Sequence, residues 1–421
     1  MSHVLSKVLS NEFSLPYNCY EVSHTWTPNC SNAAFEVGFD VFKESLKMYS
    51  TLYLASQLIA NKCDQNSFYK TALKILRSSV FLGTNAFTAF YFMCLNRRLS
   101  GKFYFFLCSH LPAFLSSFLA ICIEAKHRRQ TLALYVLNIA SETVYRSLID
   151  KGYLKSIPNG EVFLFAVSVS IILYLSENKS NARKDFISKA LMFIIDEQST
   201  KKCIETTDTS LHSYLKQLLK PFFVGFFAKY ALSTFTSPQK LLNKPSLAIL
   251  NLFSKENLKF ALFLTSFKCV YHTTKFLLQK LNKTTSKWHS LLSGFTAGLT
   301  MFIHPHSSMS LYMLWKGIEL LYLEAVSSHI IKHSNLTISF LYAIATSQLF
   351  YCAIHEPKSM KRSYMKFLDK LTHEKLHLVN RNLLEAFGTS SSFGFKSDFP
   401  KLDMQHTSRQ YKETIFLWLI S

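Results

Sequence analysis

Acidic side chains and glycine are both scarce in this chain. Of 421 residues, 26 are Asp or Glu and 11 are Gly, and charged residues of either sign make up 17%. Soluble domains carry roughly 25% charged residues and about 7% glycine, so the composition reads as that of a multi-pass membrane protein, with a soluble bundle of buried helices as the alternative. Nine cysteines are scattered with no Cys-x-x-Cys pair, and residues 1–18 lack the apolar core of a signal peptide. An odd count without such a leader argues against a secreted disulfide framework. The C-terminal FLWLIS is neither a Ser-Lys-Leu address nor a prenylation box, so any organelle address is expected to be internal. Also missing are a Gly-rich phosphate loop, a nucleophile elbow, a His-Glu-x-x-His motif and a spaced carboxylate pair. No Ser or Cys is set beside a base in the manner of an activated nucleophile. The expectation is a protein without catalytic activity and without a cofactor.

What the chain does have is apolar bulk. Hydrophobic residues make up 49%, and Phe alone contributes 38. Long uncharged runs alternate with short basic clusters, such as Arg97, Arg98 and Lys102, then Lys126, His127, Arg128 and Arg129. The formal net charge of +21 would suggest nucleic acid in a soluble protein. Placed between apolar runs, the same charges suit anionic lipid headgroups, so membrane lipids are the expected partner and nucleic acid is not. Candidate spans are residues 80–95, 103–123, 161–177, 221–236, 260–271, 290–303 and 338–354. Several fall short of the roughly 20 residues that cross hydrocarbon, which snorkelling Lys and Arg or packing in a bundle can accommodate. Residues 41–60 have apolar positions at helical spacing and suit a surface or bundle-packed helix. The polar stretch 176–220 reads as a loop, and the Ser- and Gly-rich tail after Phe387 as little structured.

A gapless shift of 177 residues lays 110–175 on 287–352 with 16 of 66 positions identical. LSSFLA falls on LSGFTA, LYVL on LYML, and FLFAVSVSIILY on FLYAIATSQLFY. The matches keep their spacing across polar segments, which points to a duplicated unit. The expected fold class is all-α: a multi-pass transmembrane helical bundle built from two duplicated four-helix units. The expected organisation is an N-terminal Cys-containing region at 1–65, a first membrane unit at 66–176, and a polar linker with one apolar helix at 177–257. A second membrane unit follows at 258–370, then a C-terminal helix and tail at 371–421. Four crossings per copy would give both copies one orientation, and three would invert them.

Two small-residue faces occupy equivalent places in the copies: Ser116, Ser117 and Ala120 in the first, and Ser293, Gly294, Ala297 and Gly298 in the second. Glycine weakens a helix in water by about 1 kcal/mol relative to alanine. In lipid, where helices gain nothing hydrophobic by meeting, small residues permit close packing. These faces are expected to pack on one another or each on a neighbour. Glu142 and Glu319 also coincide under the shift. Arg146 stands four residues after Glu142 and Lys316 three before Glu319, so same-helix ion pairs are open to both. An intramembrane ion or proton path is the other reading.

The N-terminal stretch YNCYEVSHTWTPNC sets Cys19, His24 and Cys30 close together. These three suit a zinc site, for which a fourth ligand is not evident locally and Cys63 is an option. A Cys19–Cys30 disulfide is another reading, and reduced packing cysteines are the plainer one. His304 and His306, beside a helix end, are too few to specify a metal.

Several strings resemble the transmembrane protein 135 family, also called peroxisomal membrane protein 52. They are NCYEVSHTW with Pro28 and Cys30, ESLKMY, GKFY, ASETVYR, NGEVFLF, SGFTAG, SYMKFL and NRNLLEAFGT, in order from about residue 17 to 405. That family is distantly similar to channel-type subunits of the mitochondrial inner-membrane import translocase. The resemblance implies residence in mitochondrial and peroxisomal membranes. It also implies a role in mitochondrial fission and fusion, peroxisome organisation and lipid storage, with organelle-division machinery as a partner and no catalytic residues. The middle region 176–220 departs from the family in being shorter and less Cys-rich.

Overall fold

The computed structural model describes residues 14–59, 64–177, 186–195, 211–235, 254–282, 286–332, 334–395 and 400–420. Among these the fold is helical apart from one two-stranded ladder. In chain order the elements are β1 (Ser14–Leu15), α1 (Cys19–Val22), α2 (Cys30–Ile59), α3 (Gln65–Ser100), β2 (Phe103–Tyr104), α4 (Phe105–Ile123) and α5 (Lys126–Asp150). They continue with α6 (Gly160–Glu177), α7 (Phe186–Ile195), α8 (Leu211–Phe235), α9 (Lys255–Asn282), α10 (Lys287–Gly298), α11 (Ser307–Ser327) and α12 (Asn335–His355). The last are α13 (Arg362–Leu371), α14 (Arg381–Leu384) and α15 (Arg409–Ile420).

Local chemistry sets the ends of these helices. Gly101 terminates α3 with φ +75° and donates its N–H to the Arg97 carbonyl at 2.9 Å, a left-handed stop that glycine adopts without steric cost. The chain then runs into β2, which pairs antiparallel with β1 through Ser14↔Tyr104 and Leu15↔Phe103. Ser286 starts α10, accepting from Trp288 N–H. The His306 ring accepts from Met309 N–H at the start of α11.

Four helices are long and apolar enough to cross a membrane, among the described residues: α3, α4, α6 and residues Leu336–His355 of α12. Their outward faces carry exposed Phe106, Leu119, Phe163, Leu336 and Phe340, side chains suited to hydrocarbon. The run at 221–236 as far as residue 235, and those at 260–271 and 290–303, are helical too, in α8, α9 and α10 with the 3-10 turn Leu299–Ile303. They are not among those four; Lys229 and Lys268 interrupt the first two, and α10 itself has only 12 residues.

The chain forms two compact units, Met1–Lys155 with Ser334–Ser421, and Ser156–His333. In the first, α2 packs on α3, α3 on α4, and both α4 and α5 on α12. In the second, α8 packs on α9, α9 on α10, and both α10 and α11 on α6. The first unit has two apolar cores. One joins α2 and α3 to the N-terminal and C-terminal segments, and the other lies among α4, α5 and α12. The core of the second gathers α6, α7, α9, α10 and α11 around Phe165, Phe263 and Phe267.

Two sequence expectations need correction. Residues 176–220 are not simply loop, because α7 and the start of α8 lie there; Leu191 and Ile195 give α7 an apolar face to bury. The tail after Phe387 is ordered where it is described. The Arg381 guanidinium donates to the carbonyls of Ala353, Ile354, Leu376 and Ser391, and Tyr411 is fully buried. Its polar composition concealed a segment held by hydrogen bonds rather than by apolar periodicity.

Candidate metal centre

Asn18 begins the local structure. Its side chain accepts from Glu21 N–H at 2.9 Å, and the Glu21 carboxylate accepts from Asn18 N–H at 2.7 Å, which fixes the single turn of α1. Cys19 is the first residue of that turn. The N–H groups of Ser23 and His24 both donate to the Cys19 carbonyl, at 2.9 and 3.2 Å, and this carries His24 back over Cys19. His24 Nδ1 lies 2.7 Å from the Thr27 carbonyl. A carbonyl only accepts, so Nδ1 carries the proton and Nε2 presents a lone pair. Cys30 opens α2 just after Asn29, whose side chain accepts from Ser31 and Asn32 N–H at 2.9 and 3.3 Å. Cys94 comes from the last turns of α3.

The ligand atoms of Cys19, His24, Cys30 and Cys94 all lie within 4.8 Å of one another. His24 is fully buried, Cys19 and Cys94 are buried, and Cys30 is half-buried. Hydrogen bonding with Cys19, then with Cys94, holds the Cys30 thiol far below its ordinary value. The hydrogen bond with Cys30 is the largest influence on Cys19, which is pushed up to about 12. The loop around them is braced from several sides. Arg97 donates twice to the Tyr17 carbonyl, at 3.0 and 2.9 Å. Asn380 donates to the carbonyls of Val22 and Glu21, at 2.9 and 3.0 Å, and Thr25 donates to Leu378 at 2.5 Å. The Trp26 ring lies between the rings of His24 and Phe90. An open cavity of about 460 Å³, lined by Cys19, Cys30 and Cys94 and by Arg97 and Arg98, gives access to the thiols. Three thiols and one imidazole are the donor set of a four-coordinate structural metal site.

Three of these residues were readable from local spacing. Cys94 was not, because it sits in an apolar helical run that carries no ligand pattern. Cys63 lies outside the described residues.

The small-residue faces meet different partners. Ser116, Ser117 and Ala120 are fully buried on α4, and Ser117 donates to Asn85 Oδ1 of α3 at 3.2 Å. Ser293, Gly294, Ala297 and Gly298 are buried on α10, which packs on α6. A Cβ at Gly294 would stand 3.0 Å from Ser170 Cα, and one at Gly298 only 2.4 Å from Ala166 Cα. Glu142 accepts from Arg146 at 2.6 Å, and Glu319 from Lys316 at 2.5 Å. Both glutamates stand on helices, α5 and α11, outside the four that are long and apolar enough to span. His304 faces Glu256 at 3.5 Å, and His306 serves as the helix cap described above.

No solved structure matches this chain. Residues 16–149 match the family model for the N-terminal cysteine-rich region of Transmembrane protein 135. All four residues of the cluster fall inside that stretch, over which the chain is similar to the Transmembrane protein 135 family.

Proposed function

We infer that this is a non-enzymatic, multi-pass protein of mitochondrial and peroxisomal membranes. It influences mitochondrial fission and fusion, peroxisome organisation and lipid storage by engaging lipids and organelle-division partners rather than by turning over a substrate. The observation that carries this reading is the family match over residues 16–149. The basic groups near the ends of apolar helices, Arg97 and Arg98 at the end of α3 and Lys126, Arg128 and Arg129 just after α4, agree with lipid headgroups as neighbours. The test is live imaging after depletion, with re-expression as the control. Altered mitochondrial length, peroxisome number and lipid-droplet load are expected. Unchanged organelles would remove the reading.

A lipid or solute transporter is the second reading, and one observation favours it. Within the second unit, Lys275 is buried and its Nζ lies 2.8 Å from Glu177 Oε1 and 3.0 Å from Ser290 Oγ. Charges enclosed among apolar helices are costly and often line a substrate path. Protein reconstituted in vesicles that moves no lipid, ion or small solute would dismiss it.

A further inference from the structure

We propose that Cys19, His24, Cys30 and Cys94 bind a single zinc ion that fastens the N-terminal segment to α3. Nothing in the proposed organelle role requires this, and either reading can fail without the other. The first argument is distance. Tetrahedral zinc, with bonds of about 2.3 Å to sulfur and about 2.0 Å to nitrogen, places its donors about 3.5–3.8 Å apart. All four donor atoms here already stand within 4.8 Å of one another, so a contraction of about 1 Å at most completes the shell. The compactness also selects the metal species. A binuclear iron–sulfur cluster divides its protein ligands between two irons and needs them spread more widely.

The second argument is independent of spacing. His24 is fully buried, yet its Nε2 has no hydrogen-bond partner. Buried polar atoms are seldom left in that state, and on a ring whose ligand atom lies within 4.8 Å of three thiol sulfurs it has an obvious use. Nδ1–H is meanwhile anchored on the Thr27 carbonyl, the outer contact that metal-bound histidines use to fix ring and tautomer.

The third argument is charge. Zinc with three thiolates and a neutral imidazole carries one net negative charge, and three thiol protons leave on binding. Arg97 and Arg98 line the adjoining cavity and offset that charge, while the cavity supplies an access path. Four protein ligands leave no open coordination position, so the site is structural rather than hydrolytic. Its effect is topological. Cys19, His24 and Cys30 belong to the first of the described segments, and Cys94 to a helix long and apolar enough to span.

The test uses the full chain, purified in detergent without a polyhistidine tag, with metals measured by elemental analysis. About one zinc per chain is expected, released when the thiols are titrated with a mercurial. Cys94→Ser and His24→Ala should lower zinc content at least several-fold, while Cys122→Ser, at an exposed cysteine outside the cluster, should leave it unchanged. Because the ligand variants can misfold, the wild-type chain is also stripped with a chelator and given cobalt. A visible spectrum typical of tetrahedral cobalt with three thiolates is expected, and added zinc should bleach it. Metal-free protein with freely titrating thiols and no cobalt spectrum would overturn the proposal. So would a Cys19–Cys30 disulfide in peptide mapping, or iron with matching sulfide in place of zinc.

Discussion

Replacing Gly298 with alanine should destabilise the second unit, although alanine is the better helix former. The propensity gain is about 1 kcal/mol. Gly298 has φ −60° and ψ −31°, so alanine is backbone-compatible and that gain is available. Opposing it is the close approach of α10 to α6. The added Cβ would lie 2.4 Å from Ala166 Cα and 2.9 Å from Ala166 Cβ. Unstrained carbon contacts are about 3.5–4.0 Å. The overlap is with backbone, so no side-chain rotation relieves it and α6 must shift. Overpacking of this kind costs about 1–3 kcal/mol, and a contact this short with backbone belongs near the upper end, leaving a net loss of up to about 2 kcal/mol. Gly294→Ala meets Ser170 Cα at 3.0 Å and the movable Leu173 Cδ1 at 3.1 Å, and should come out near neutral. Gly317→Ala, in α11, has nothing nearer than the Ser168 carbonyl at 3.7 Å and should stabilise by up to about 1 kcal/mol. Thermal unfolding of the full chain in one detergent, followed by Trp fluorescence and by recovery on size exclusion, checks the series. The midpoint should rise for Gly317→Ala, stay for Gly294→Ala and fall for Gly298→Ala. Equal rises for all three would refute the close contact between α6 and α10.

Arg381→Met should lose about 3 kcal/mol or more, because it leaves the carbonyls of Ala353, Ile354, Leu376 and Ser391 without their donor; Arg381→Lys should recover only part, since an ammonium cannot span that fan. The check is the same thermal assay with limited proteolysis of the C-terminal segment. Glu356 accepts from Ser147 at 2.5 Å, Tyr351 at 2.6 Å and Lys151 at 2.6 Å. Burial alone would raise its carboxyl, but the bonds from Lys151, Ser147 and Tyr351 outweigh it and hold the group below its ordinary 4.5. Its stabilisation is therefore complete above about pH 4.5 and lost as the pH falls through the lower folded value. Glu356→Gln should be less stable at neutral pH and show a shallower decline in an acid titration followed by circular dichroism.

Legibility followed the physical range of each signal. Uncharged runs marked α4, α6 and α12 because crossing hydrocarbon requires long stretches without charge. The same signal failed at the tail, where Arg381 and Ser391 organise the chain through carbonyl contacts that leave no apolar period. Cys19, His24 and Cys30 stood out because one capped turn and one helix start bring them together locally. Their companion Cys94 depends on where α3 packs, which no short window encodes.

The choice of partner for the glycine face shows where local sequence stops deciding. Under the 177-residue shift, Ala166 and Ser170 of α6 correspond to Ala343 and Ser347 of α12, so two helices carry the same pair of small residues at the same spacing. Either could be expected against Gly294 and Gly298, yet α6 is there and α12 packs on α4 and α5. The flanking residue separates them. Leu173 Cδ1 would already lie 3.1 Å from a Cβ at Gly294, and the residue at the corresponding place on α12 is Phe350. A phenyl ring is bulkier than the leucine side chain that stands beside Gly294. The small residues permit a near approach, but the same pair stands on both helices, so which helix makes it is decided by packing beyond that pair.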